Sequence, residues 1–125
     1  MGKVLVVESD PDFRALIIFS FRFAGFDVLG ASTGDECIRE VKRNQPDLVL
    51  ISDKAPEIDA HKICQEIMLD KHGGALPAVL VLLDEAIEQW RMGDIQKCGG
   101  EVVAKPISVD KLTRKVIDHF KKLNP

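Results

Sequence analysis

The chain is predicted to fold as a doubly wound α/β domain around a five-stranded parallel sheet, and three observations predict it. Short runs of β-branched and leucine residues alternate five times with longer amphipathic stretches along the 125 residues. The short runs are continuously apolar rather than alternating, as strands covered on both faces are. Aspartate, serine, proline and glycine punctuate the joints where helices would begin and stop. Strands and helices that alternate in this way pack into layers through right-handed crossovers.

Taken in order, the first strand is Val4–Val7. Asp10-Pro11 then opens a helix near Pro11–Ala24, with a capping carboxylate before a proline whose missing N–H is no loss in the first turn. Gly25 stops it. The second strand is Asp27–Leu29 and the second helix Gly34–Arg43; the third pair is Leu48–Ile51 and Ala60–Asp70. Val79–Leu83 precedes a helix over Glu85–Lys97, which Gly99-Gly100 ends. Val102–Ala104 is the last strand. Ser108 caps the last helix, Val109–Lys122, with Asp110 in its first turn to favour the helix dipole. Leu112, Val116, Ile117 and Phe120 give that helix an ordinary apolar face.

A chain of this length is expected to form a single domain over 1–125, burying roughly two-thirds of its unfolded surface. An apolar share of 46% and a charged share of 30% are those of a globular chain. The net charge of −3 is scattered, with no basic stripe, which argues against nucleic-acid or acidic-membrane binding. The apolar runs fall well short of the roughly 18 residues of a membrane span. Met1-Gly2-Lys3 carries no signal-peptide pattern, and Val6 stands where a myristoylation motif needs Ser or Thr. Cys37, Cys64 and Cys98 are widely spaced and form no C-x-x-C, so they read as buried thiols of a cytoplasmic protein. His61, His72 and His119 have no ligand-like spacing.

Ligands of such sheets bind beyond the carboxyl ends of the strands, where the strand order reverses. The residues expected there are Glu8-Ser9-Asp10, Ser52-Asp53, Leu82-Leu83-Asp84 and Lys105-Pro106. A nucleotide site would want a glycine-rich first loop, whereas this one presents acid and proline. No Ser-His-Asp or Cys-His arrangement follows from the spacings, so an enzyme is not expected.

Four segments together resemble the receiver domains of bacterial response regulators, over essentially the whole chain. They are Val4–Pro11, Ala24-Gly25-Phe26, Pro46–Pro56 and Val103–Ser108. The resemblance implies a flavodoxin-like (βα)5 fold with strand order 2-1-3-4-5 and a place in two-component phosphorelay signalling. In that family an aspartate six residues after the Pro-Asp proline and four before the loop proline accepts a phosphoryl group. Counting from Pro46 or back from Pro56 lands on Ser52. Two adjacent acids after the first strand help hold Mg²⁺ in the family; here they are Glu8 and Ser9. The hydroxyl residue after the fourth strand falls at Leu82 or Leu83, and the aromatic switch residue at Val102. Only Lys105, followed by Pro106, matches outright. These departures imply a pseudo-receiver, a fold kept without its phosphoryl chemistry and with no cofactor.

The alternative is that Asp53 or Asp10 accepts the phosphoryl group beside a weak Mg²⁺ site of Glu8, Asp10 and Asp53. Adjacent strand residues point to opposite faces, so Asp53 would need a bulge to reach the pocket. Asp53 is otherwise read as a solvated carboxylate, and Asp10 as the helix cap. Lys105 is expected to pair with Glu8, because a lysine turned inward needs a partner.

The first helix is apolar on more than one face. Phe13, Leu16, Ile17 and Phe21 have the spacing of a sheet-facing stripe, while Ile18, Phe19 and Phe23 lie elsewhere. A second copy, a signalling protein or a neighbouring domain is expected to cover them, unless the last helix leans across. Trp90 reads equally well as a core residue or as an anchor.

Overall fold

The computed structural model describes residues 2–54, 57–69, 76–84 and 89–123. His72, the loop proline Pro56 and the side chains of Asp84 and Trp90 lie outside what is described. Five strands and five helices alternate: β1 Lys3–Val7, α1 Pro11–Phe23, β2 Asp27–Ala31, α2 Gly34–Asn44, β3 Leu48–Ser52, α3 Ala60–Leu69, β4 Ala78–Asp84, α4 Gln89–Lys97, β5 Gly100–Lys105 and α5 Val109–Leu123. All strand pairs are parallel, in the order β2-β1-β3-β4-β5. The expected doubly wound architecture is the observed one. Strand five starts two residues earlier than the apolar run suggests, because Gly100 and Glu101 pair with Val79 and Leu80 of β4.

The sheet divides the core by residue parity. Leu5, Val7, Val49, Ile51, Val81 and Leu83 face a cluster built with Cys37 of α2, Ile63, Cys64 and Ile67 of α3 and Ile95 of α4. Val4, Val6, Leu48, Leu50, Leu80 and Leu82 face the other side, against Ile17 and Phe21 of α1 and Leu112 and Val116 of α5. Helices α1 and α5 therefore cover one face, and α2 to α4 the other.

Helix ends follow local chemistry. Asp10 caps α1, its carboxylate accepting from the Asp12 N–H at 3.0 Å. Thr33 caps α2, where the Glu36 carboxylate reaches back to the Ser32 N–H at 3.2 Å and hydroxyl at 2.9 Å. The hydrogen bond from the Ser32 backbone holds the Glu36 carboxyl below its ordinary value. Ser108 accepts from the Lys111 N–H at 3.2 Å. Gly25 and Gly99 take φ of 101° and 86° after α1 and α4, conformations that favour glycine.

Two thiols are buried as expected, and burial pushes Cys37 up to about 12 and Cys64 up to about 11. Cys98 is only half-buried, because it stands at the open end of α4.

Candidate functional site at the carboxyl edge of the sheet

Strand order reverses between β1 and β3, so the residues just past these two strands occupy the position where open α/β sheets form sites. Glu8 follows β1 and Ser52 ends β3. Among the described residues the buried polar side chains are Glu8, Ser52 and Asp53, with 4%, 1% and 4% of their surface exposed. All three sit at this edge.

Ser52 is aligned with Leu82 of β4. Its Oγ is buried and makes no hydrogen bond to the described residues. A serine hydroxyl needs an adjacent base to act as a nucleophile, and none of the described residues places one within hydrogen-bond reach. Leu82 and Leu83 are both fully buried, on opposite faces of the sheet. Val102 is half-buried against the cluster under α2 to α4.

The carboxylate of Glu8 turns back along its own loop. One oxygen accepts from the Asp10 N–H at 3.0 Å and from the Ser9 hydroxyl at 3.4 Å. The Arg14 guanidinium, one turn into α1, donates to the Glu8 carbonyl at 2.8 Å. Arg14 was not legible as a site residue, since an arginine on an amphipathic helix ordinarily reads as solvated surface. Asp10 is exposed and occupied as the α1 cap.

Two expectations are corrected here. Asp53 is buried rather than solvated. As strand alternation requires, it does not share the face of Ser52; one carboxylate oxygen accepts from the Ala60 N–H at 2.9 Å, at the start of α3. Helix starts carry free N–H groups, and a buried carboxylate is a strong acceptor for one. The Asp53 N–H donates to the Leu82 carbonyl at 3.0 Å, which prolongs the β3–β4 ladder past Ser52. Nor does Lys105 pair with Glu8. Its ammonium donates to the backbone carbonyl of Asp53 at 3.4 Å, while the Glu8 carboxylate is engaged by its own loop. The Lys105–Pro106 peptide bond is cis.

The edge thus gathers Glu8, Ser52, Asp53 and Lys105, but Glu8, Asp53 and Lys105 engage separate backbone partners and the Ser52 hydroxyl engages none among the described residues. No group of three or more His, Cys, Asp or Glu side chains is placed to hold a metal among the described residues. No helix among them is long and apolar enough to cross a membrane.

The sequence matches the model of the response regulator receiver domain over residues 4–117. The chain belongs to the response regulator receiver domain family. A receiver domain protein (CheY-like) of Methanospirillum hungatei superposes with a TM-score of 0.85 at 15% identity, covering 98% of this chain and 95% of that one. The receiver domain of Francisella response regulator 1452 superposes at 0.83 with 22% identity, covering 99% and 100%. At these identities the likeness is one of fold. Among curated proteins, the probable transcriptional regulatory protein TcrX of Mycobacterium tuberculosis is 25% identical over 109 residues, which is 87% of this receiver and 45% of TcrX. The DNA-binding dual master transcriptional regulator RpaA of Synechocystis is 25% identical over 116 residues, 93% of this receiver and 48% of RpaA. The receiver spans about half the length of these curated relatives.

The structure also redraws the outward face of α1. Ile18 packs against the core at the edge of β2, where a methyl group on Gly30 would stand 2.9 Å from its Cδ1. Leu16, expected to face the sheet, is 51% exposed. Phe19 and Phe23 are exposed as expected, at 69% and 88%. The exposed set is therefore Leu16, Phe19 and Phe23, one stripe at i, i+3 and i+7.

Proposed function

We propose that this receiver is a phosphorylation-independent protein–protein interaction module of two-component signal transduction. The observation that carries the reading is Ser52, a buried hydroxyl with no base in reach among the described residues, at the end of the central strand. Two further features support it. Each carboxylate that would have to hold Mg²⁺ has an oxygen on a backbone N–H: Glu8 on Asp10, Asp10 on Asp12 and Asp53 on Ala60. A hard dication needs several carboxylate oxygens turned to one point, and this set does not fit it. Leu82 and Leu83 offer no hydroxyl to follow a phosphoryl group. The role is then one of binding, with Lys105 fixing the β3 loop through the Asp53 carbonyl.

The test is a titration of the protein with Mg²⁺ and beryllofluoride, a mimic of the aspartyl phosphate, followed by backbone amide shifts. The expected result is no saturable shift at Glu8, Ser9, Asp53 or Lys105 up to millimolar Mg²⁺. Saturable shifts centred on those residues would replace this reading with a phosphorylatable receiver that uses a displaced acid such as Asp53.

A further inference from the structure

The stripe on α1 borders a groove whose other wall is α5. Phe19, Phe23 and Ala24 line one side, and Thr113, Arg114 and Ile117 the other. Along the α5 rim of this groove stand Asp110, Arg114, Asp118 and Lys121, all exposed and on one helical line. The ion pair found within the chain among the described residues is Glu40–Arg43, far from this line, so the four rim charges are not spent on one another.

Their order matters. The line reads negative, positive, negative, positive, and a line of that kind is complementary to itself when laid antiparallel. Asp110 then meets Lys121 of a second copy, and Arg114 meets Asp118, about a single midpoint on α5. A two-fold axis at that midpoint makes both contacts twice, as an isologous interface requires. The rim has no net charge, so a partner of one dominant sign gains little there. The exposed Phe19 and Phe23 stand on the same groove as this line, so an interface registered by it would bring apolar surface beside a charged rim.

We propose that the α1–α5 face is a homodimer interface, with Leu16, Phe19 and Phe23 at its centre and the α5 charge line as its register. This names a second copy of the chain as the partner in the interaction role proposed above, and rests on that role being one of protein binding, not on its independence of phosphorylation.

Sedimentation equilibrium of the chain, with circular dichroism as the check on folding, tests it. The expected result is a dimer whose mass falls by about half in Phe19→Glu/Phe23→Glu, with the helical signal unchanged. Arg114→Asp alone sets like charges opposite each other twice, so it should also give monomer. Adding Asp118→Arg to it restores opposite signs and should restore the dimer. A protein from another family would not be expected to follow that swap. A monomer at millimolar concentration both with and without Mg²⁺ and beryllofluoride, or a folded double swap that stays monomeric, overturns the interface. Repeating the runs with Mg²⁺ and beryllofluoride separates the two proposals. Dimer formation only in their presence keeps the interface and overturns the phosphorylation-independent role, whereas a monomer under every condition overturns the interface alone.

Discussion

The carboxyl edge of the sheet and the outer face of α1 depart from ordinary burial in opposite directions. At the edge, polar Glu8, Ser52 and Asp53 are buried; on α1, apolar Leu16, Phe19 and Phe23 are exposed. The two departures are resolved differently. Glu8 and Asp53 are accommodated because each finds a backbone N–H, at Asp10 and at Ala60, so their charge is absorbed into loop and helix geometry. Nothing in the described chain absorbs the phenylalanines. The fold therefore uses the first region for its own construction and leaves the second free to interact. On the proposed reading, the seat of function lies at the flank of the sheet rather than at its end.

Among the polar groups, the largest effect should come from breaking the edge. Asp53→Ala strips the Ala60 N–H of its acceptor in a buried place, and should destabilise the domain by about 2 kcal/mol. Asp53→Asn, which keeps an oxygen there, should recover part of the loss. Urea unfolding of the three proteins checks both, and an Asp53→Ala protein as stable as the parent would mean the carboxylate is not structural. The neighbouring Ser52→Ala should act with the opposite sign. It removes a buried hydroxyl that has no partner among the described residues, and should stabilise by about 1 kcal/mol in the same experiment. A loss on Ser52→Ala would show that the hydroxyl is engaged, and the edge would no longer be a region resolved purely as structure.

Much of this contrast could be read from the sequence, and the unread part has a physical cause. Continuous apolar runs and the capping residues Asp10 and Ser108 led to every element and to its order. The position of Ser52 followed from two proline landmarks that agree. Side-chain direction was harder. The helical periodicity placed Leu16 inside and Ile18 outside, but α1 lies near the sheet edge, where the bare Gly30 makes room for Ile18 and leaves Leu16 uncovered. Asp53 was correctly placed off the face of Ser52. Its burial depended on where α3 begins in space, and no local pattern carries that. Lys105 likewise met a backbone carbonyl, a partner that no sequence displays.

The smallest effect sharpens the comparison from the other side. Phe21 and Phe23 are the same side chain two positions apart on α1, one fully buried and the other 88% exposed. Phe21 is also in edge-on contact with Phe26, at 6.3 Å between ring centroids, inside the cluster that α1 and α5 share. Phe21→Ala would open a cavity there, at a cost of about 4 kcal/mol. Phe23→Ala removes a ring that contributes little burial to the monomer, and should change its stability by less than about 0.5 kcal/mol. The comparison must be made on monomer, so both substitutions belong in an Arg114→Asp background, with thermal unfolding as the readout. If Phe23→Ala costs as much as Phe21→Ala in that background, the ring is held by the domain itself. The α1 stripe would then be part of the core, and the asymmetry between the two regions would disappear.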